Sequence, residues 1–326
     1  MRACVNPSDR IEGVIALALV LVSLGAGDHD RSLTVGGATR TYIVRVPPRV
    51  SARAPLPVVL AFHGGGGNAS SFKGYAGLDA LADREGFVVV YPDGSGTHGR
   101  RLLTWNAGGC CGYAAAQNVD DVAFAVAVLR DVARNVSLDA TRVYATGHSN
   151  GAMMSYRMAI EASERIAAIA PVAGAMQTRR FPPPRPVPVL HVHSVDDPRA
   201  LYTGGLGPPF PGTQTRIAHL AVEPELARWV AHDRCAPEPR TADRRHVPTR
   251  GGAEHTASLL VWTPCSGGAE VQLWKLTGPG HGWPGSHVRL PESIIGPETT
   301  VIDAASEVWR FLSRFRRSDA PALDEN

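Results

Sequence analysis

RVYATGHSNGAMMSYRMA, residues 142–159, sets a serine between two glycines, behind an apolar run and ahead of a segment with helical period. RVYATGHS reads as a strand and NGAMMSYRMA as the start of a helix. Gly147-His148-Ser149-Asn150-Gly151 is then a GxSxG turn at a strand-to-helix junction. A sharp turn of this kind holds its serine in a strained conformation with the hydroxyl exposed, and the flanking glycines let the two backbones approach. In a chain this rich in glycine and serine a bare match arises by chance. The junction disfavours the plainer reading, a glycine-rich turn with a capping serine.

Working outward, strands and helices alternate. RSLTVGGATRTYIVRVP shows alternating apolar residues about a Gly-Gly turn, the pattern of a hairpin. PLPVVLAFHGGGG and GFVVVYPDG are short apolar runs ending in turn residues. NVDDVAFAVAVLRDVARN has helical period, with Asn118 or Asp120 as its cap. IAAIAPVAGA, PVPVLHVHS and AEVQLWKLTG read as strands, and EPELARWVAHD and AASEVWRFLSRF as helices. Continuous apolar strands separated by helices predict an α/β protein with a mostly parallel central sheet and helices on both faces. FPPPRPVP is a stiff loop, because the strand pattern resumes at once. One catalytic domain is expected over 28–315, with 316–326 as a disordered tail.

The 326 residues are 44% hydrophobic, which suits a globular protein with one large core or two smaller ones. A net charge of +3 gives no electrostatic footprint for nucleic acid. GVIALALVLVSLGAG, residues 13–27, follows Arg2 and Arg10, is short for a membrane span and ends in small residues. Residues 1–27 therefore read as a signal peptide cleaved near Gly25 to Gly27. The product would be secreted, extracellular or periplasmic, without stable membrane association. An uncleaved anchor is the rival, and Asp9 and Glu12 lie unusually close to the apolar run.

Export permits disulfides. Of five cysteines, Cys4 would leave with the leader. Cys235 and Cys265 are far enough apart to bridge, and a loop of about 30 residues is worth roughly 3–4 kcal/mol in the chain-entropy model. Cys110 and Cys111 either bridge each other or each pair with one of the other two; three connectivities are open. No CxxC spacing suggests zinc.

A nucleophilic serine needs a base. GPGHGWPG places His281 in a loop after an expected strand; His287, six residues on, is the competitor. The base needs an orienting carboxylate, and VLHVHSVDDPRA supplies Asp196 and Asp197 where a strand ends. Spacing does not separate the two, although Asp197 precedes Pro198, which biases it towards extended backbone. FHGGGGNAS, residues 62–70, offers backbone N–H groups for an oxyanion hole, one from Gly65 or its neighbour and the second from Asn150. A phosphate-binding loop is disfavoured, because no GK[ST] follows the glycines.

Taken together, FHGGGGNASSF, YPDG, TWNAGGCCG, NVDDVAF, the GHSNG stretch, APVAGAM, HVHSVDDP, CSGGAEVQLW and GHGWPG are far more specific than GxSxG alone. Over about residues 35–285 the chain resembles the secreted serine esterases related to poly(3-hydroxybutyrate) depolymerases and feruloyl or acetylxylan esterases. The resemblance implies an α/β-hydrolase fold, a Ser-Asp-His triad and no cofactor; no metal ligand is expected. Matched residue by residue, it implies Ser149 as nucleophile, His281 as base, Asp197 as acid and Gly65 as the first oxyanion donor. The substrate expected is a poly- or oligo(3-hydroxybutyrate) ester or a related hydroxyacyl ester; the alternative is a feruloyl or acetyl ester of plant cell-wall polysaccharide. Trp105, Tyr202 and Trp283 are candidates for the pocket lining, with core packing as their other reading. Two departures stand out: Asp196 is an extra acid beside Asp197, and no appended substrate-binding domain is expected. Three rivals remain: a metal site at His191 and His193, a non-catalytic binding protein on the same fold, and a peptidase.

Overall fold

The computed structural model describes residues 23–48, 54–178, 180–210, 214–249 and 254–323. Strands β1 (Gly27–Val35) and β2 (Ala38–Val46) form the expected hairpin. It closes through Gly36 and Gly37, whose φ values of 58° and 80° are cheap only for glycine. Next come β3 (Leu56–Phe62), α1 (Ala69–Ala76), α2 (Leu78–Glu85), β4 (Val88–Pro92), α3 (Gly112–Ala116) and α4 (Asp121–Ala133). Asp120 caps α4, its Oδ1 accepting from the Ala123 amide at 2.9 Å. The chain continues through β5 (Leu138–His148), α5 (Asn150–Glu161), β6 (Ala168–Val172) and β7 (Val189–Ser194). A two-residue pair, β8 (Gly205–Leu206) and β9 (Ala218–His219), precedes α6 (Val222–His232). Then follow β10 (Arg240–Pro248), β11 (Glu254–Trp262), β12 (Val271–Thr277), α7 (Glu292–Ile295) and α8 (Ala304–Leu312).

The main sheet runs β1-β2-β4-β3-β5-β6-β7-β12-β11-β10. The six strands from β4 to β12 in that order are mutually parallel, and antiparallel pairs flank them at both edges. Alternation along the strands feeds two cores. Val58, Leu60 and Phe62 of β3 join Phe124, Met154 and Trp229 from α4, α5 and α6. Val59 and Ala61 join Phe72, Leu81 and Phe311 from α1, α2 and α8. Every residue of α5 from Asn150 to Ile160 is buried, so this helix is fixed on all sides.

Three expectations need correction. The strands β10 and β11 were not anticipated. β10 reads RTADRRHVP, with its residues alternating between exposed and half-buried, so it has no apolar run to announce it. The tail was expected to be disordered, yet residues 316–323 pack on the body. The Arg317 amide donates to Thr141 O at 2.9 Å, its guanidinium reaches Ser163 O, and Leu323 is 5% exposed within the core. A lone arginine and leucine in a polar run carry no periodicity that could reveal this. The folded body also begins upstream of Asp28: the Leu24 amide donates to Asn135 O at 2.9 Å, and its side chain packs on the core. Residues 1–22 of the expected leader, Cys4 included, lie outside the described residues, as do 324–326.

Cys235 and Cys265 form a disulfide joining the end of α6 to the segment after β11, and Cys110 and Cys111 bridge each other. No helix among the described residues is long and apolar enough to cross a membrane.

Candidate active site

Ser149 stands between β5 and α5 with φ 56° and ψ −118°. A non-glycine residue seldom adopts positive φ, and here close packing on both sides enforces it. A Cβ on Gly147 would lie 2.5 Å from Gly151 backbone atoms, and one on Gly151 would overlap the carbonyls of Phe62 and His63. The Ser149 amide donates to Val172 O at 2.9 Å, tying the turn to β6.

His281 arrives on the loop after β12. Its Nε2 lies 2.8 Å from Ser149 Oγ and its Nδ1 lies 2.6 Å from Asp197 Oδ2. Two carbonyl contacts hold the loop: the His281 amide donates to Ile295 O at 2.5 Å, and His148 Nε2 donates to His281 O at 2.9 Å. Asp197, on the loop after β7, is the aspartate that meets the imidazole. Asp196 is exposed and accepts from the Gly278 amide at 2.7 Å. His287 is exposed, and its ring takes no part in this chain of contacts. Burial alone would raise the Asp197 pKa. His281, His193 and their hydrogen bonds outweigh it and hold the carboxyl well below the usual range. Asp197 Oδ1 also accepts the Arg199 and Ala200 amides at 2.7 and 2.8 Å. The acid is therefore ionised and fixed, as an orienting group must be.

Behind Asp197 lies a chain of groups whose hydrogens can be assigned from their partners. His193 Nε2 faces two acceptors, Ala200 O at 2.8 Å and Asp197 Oδ2 at 3.2 Å, so it carries the hydrogen. His193 Nδ1 then accepts from His191 Nε2 at 2.9 Å, and His191 Nδ1 accepts from the Tyr156 hydroxyl at 2.9 Å. This order runs from α5 through β7 to the acid. It also bears on the rival metal reading, because the facing nitrogens of His191 and His193 are already committed to each other. Among the described residues, no group of three or more His, Cys, Asp or Glu is arranged to hold a metal ion.

The glycine loop after β3 lies opposite the serine. The Gly94 amide donates to His63 Nε2 at 2.9 Å, so His63 Nδ1 carries the hydrogen and donates to Gly64 O at 2.7 Å. Burial lowers the His63 pKa to about 4, keeping the ring neutral in this role. The Gly66 amide donates to Leu103 O at 2.8 Å, which fixes the loop further on. The Gly65 amide has no acceptor among the described residues. Asn150 opens α5, so its amide is among those a helix leaves unpaired. Its side chain holds the Trp105 backbone at both ends, accepting from the amide at 2.7 Å and donating to the carbonyl at 3.0 Å.

These groups open on a cleft of about 530 Å³ walled by Phe72, Tyr75, Met153, Phe210, Leu290 and Ile294, among others. The three aromatic residues expected there are core residues instead. Trp105 is fully buried, and its indole donates to His63 O at 2.9 Å. Tyr202 packs edge-on against His193 and donates to Glu223 at 2.7 Å. Trp283 packs edge-on against Phe72, and its amide donates to Tyr75 OH at 2.8 Å. Besides Phe72, Tyr75 and Met153, the walls include Pro208, Phe210, Ile217 and His219 and residues from 288–295, stretches without a motif. His63 and His148 escaped the sequence reading, their one signal being adjacency to residues already singled out, and His193 entered it only as a candidate metal ligand.

Comparison with known proteins gives the chain a family and a fold. A family model described as Esterase PHB depolymerase matches residues 40–233. The chain is 29% identical over 246 residues to a bifunctional acetylxylan esterase/xylanase of Neocallimastix patriciarum, covering 75% of this chain and 31% of that protein. It is 26% identical over 247 residues to feruloyl esterase B of Piromyces equi, covering 74% of this chain and 42% of that protein. The chain thus spans less than half the length of either relative. The acetyl xylan esterase from Aspergillus awamori superposes with a TM-score of 0.51 at 13% identity, covering 87% of this chain and 99% of that one. At such low identity the likeness speaks to the fold, that of an α/β-hydrolase.

Proposed function

The chain belongs to the esterase PHB depolymerase family, and on that premise we propose that it is a serine carboxylic-ester hydrolase working through an acyl-enzyme on Ser149. The observation that carries this reading is the unbroken contact from Ser149 Oγ to His281 at 2.8 Å and on to Asp197 at 2.6 Å, beside a largely apolar cleft. His281 Nε2 takes the hydroxyl proton as Oγ attacks the ester carbonyl. Asp197 holds the imidazole by its Nδ1–H and stabilises the imidazolium that forms. The Gly65 and Asn150 amides receive the negative charge on the carbonyl oxygen, each such donor being worth ~10²–10³ in rate. The imidazolium protonates the leaving alcohol. Water then attacks the acyl-enzyme with His281 as base, and Ser149 is released.

The favoured substrate is a poly- or oligo(3-hydroxybutyrate) ester or a related short hydroxyacyl ester, since the cleft is largely apolar and large enough for a few monomer units. A second reading, hydroxycinnamoyl or acetyl esters of plant polysaccharide, is favoured by the names of the relatives. Export is part of the proposal, supported by the apolar run at 13–27 and the Cys235–Cys265 bridge.

The test is hydrolysis of p-nitrophenyl butyrate, followed by a panel of hydroxyalkanoate, hydroxycinnamate and acetyl esters beside peptide amides. Ser149→Ala is expected to lose at least ~10⁴-fold in turnover while remaining folded. A variant that keeps its activity would refute the acyl-enzyme, and cleavage of the amides alone would refute the ester reading.

A further inference from the structure

Among the described residues, the cleft lining carries one fixed positive charge, that of Arg199, and no aspartate, glutamate or lysine; the nearest fixed negative charge of the site is the acid behind His281. Burial lowers the pKa values of His63, His148 and His219 to about 4, about 3 and about 4, so these lining imidazoles are neutral at pH 7.

Several partly buried guanidiniums elsewhere in the fold have carboxylate partners, and Arg185, which has none, is held instead by three backbone carbonyls. Arg31 pairs with Asp131, Arg45 with Asp83, Arg142 with Asp139 and Arg157 with Glu161. Arg199 has no such ion pair among the described residues. Its guanidinium makes one hydrogen bond, from Nη2 to Pro209 O at 3.0 Å. Asp197 influences it electrostatically, but the oxygens of that carboxyl already accept from His281, His193 and two backbone amides. None of the Arg199 nitrogens is sealed away without a partner, so its Nε and Nη1 donors are left to solvent at a residue that lines the cleft. A half-buried cation without a counter-ion, beside a nucleophile and among apolar walls, is a costly arrangement for a structural residue. It suits a residue whose counter-ion arrives with the substrate.

We propose that Arg199 recognises a free carboxylate carried by the ester substrate, as at the acid end of a short hydroxyacyl oligomer. The planar guanidinium presents paired N–H donors that match a carboxylate's two oxygens. Apolar residues of the lining, Phe210, Ile217 and Leu290 among them, strengthen the attraction by lowering the local dielectric once substrate fills the cleft. This inference rests on the reading of the cleft as an ester-hydrolase site. It narrows the substrate class, because an acetyl or feruloyl ester of a neutral polysaccharide brings no such anion.

The experiment uses the linear dimer of 3-hydroxybutyrate as the free acid and as its methyl ester. Each competes with p-nitrophenyl butyrate, so affinity is read whether or not the dimer is itself cleaved. The native protein is expected to favour the acid over the methyl ester by about 10- to 100-fold. In Arg199→Gln that ratio falls towards one, and Arg199→Lys retains part of it. The ratio cancels any change in folding or in the triad that the two ligands share. Added salt reduces the preference in the native protein more than in Arg199→Gln. Equal binding of acid and ester by the native protein, or an unchanged ratio in Arg199→Gln, would overturn the proposal. Failure of the native protein to hydrolyse p-nitrophenyl butyrate would instead overturn the esterase reading beneath it.

Discussion

At Gly151 a methyl group has nowhere to go, because its carbon would overlap the carbonyls of Phe62 and His63 at the end of β3. The same closeness that forces glycine there keeps Ser149 at φ 56° with its hydroxyl on His281. Gly151→Ala must push α5 away from β3, at a cost of at least about 1–3 kcal/mol. A lower urea midpoint together with a larger fractional loss of p-nitrophenyl butyrate turnover is expected; a midpoint and turnover both like the native protein's would contradict this account of the turn. Residue identity does not make the choice between the two aspartates. They are neighbours in sequence, and only the direction of the loop after β7 decides that Asp197 faces inward and Asp196 outward.

Between elements, the buried chain from Tyr156 on α5 through His191 and His193 on β7 joins a core helix to the acid loop. Tyr156→Phe leaves His191 Nδ1 without its donor in a fully buried place, a loss of about 1–3 kcal/mol. Turnover is expected to change far less than stability, since Asp197 keeps its other donors. Comparing urea midpoints with kcat for this variant checks the point, and a kcat loss larger than the stability loss would show the chain acting on the acid itself. Sequence exposed these elements unevenly. β3, β5 and α5 are apolar runs bounded by glycine and were legible. β10 was not, because an edge strand alternating between charged and half-buried residues looks like a loop.

For the whole molecule, three buried histidines dominate the response to acid, and Asp233, whose carboxyl burial raises to about 6, opposes them in part. Burial chiefly lowers the pKa of His63 to about 4, that of His148 to about 3, and that of His191 well below its ordinary value. The unfolded chain binds protons at these positions near pH 6.5, and the native chain refuses them until about pH 4 or lower. Between those limits the unfolded state holds more protons, so stability falls as pH falls. Each histidine contributes a slope approaching about 1.4 kcal/mol per pH unit. Asp197 contributes little in this window: its depressed native pKa and its ordinary unfolded value of 3.8 both leave it ionised above about pH 5, and the stability it adds is lost only below that. Urea midpoints measured from pH 7 to pH 4.5 are expected to drop steadily; a flat profile would mean that these rings are not neutral in the native core. By itself, the sequence determined the α/β class, the strand-turn-helix around Ser149, and the residue types available for attack, proton transfer and charge stabilisation. Those depend on local periodicity and on backbone conformations that only glycine allows. The tertiary structure alone decided which aspartate serves His281, which aromatic residues sit in the core, and which loops wall the cleft around Arg199. Those are contacts between segments distant in the chain, fixed by how the sheet edge gathers its loops and not by any pattern within them.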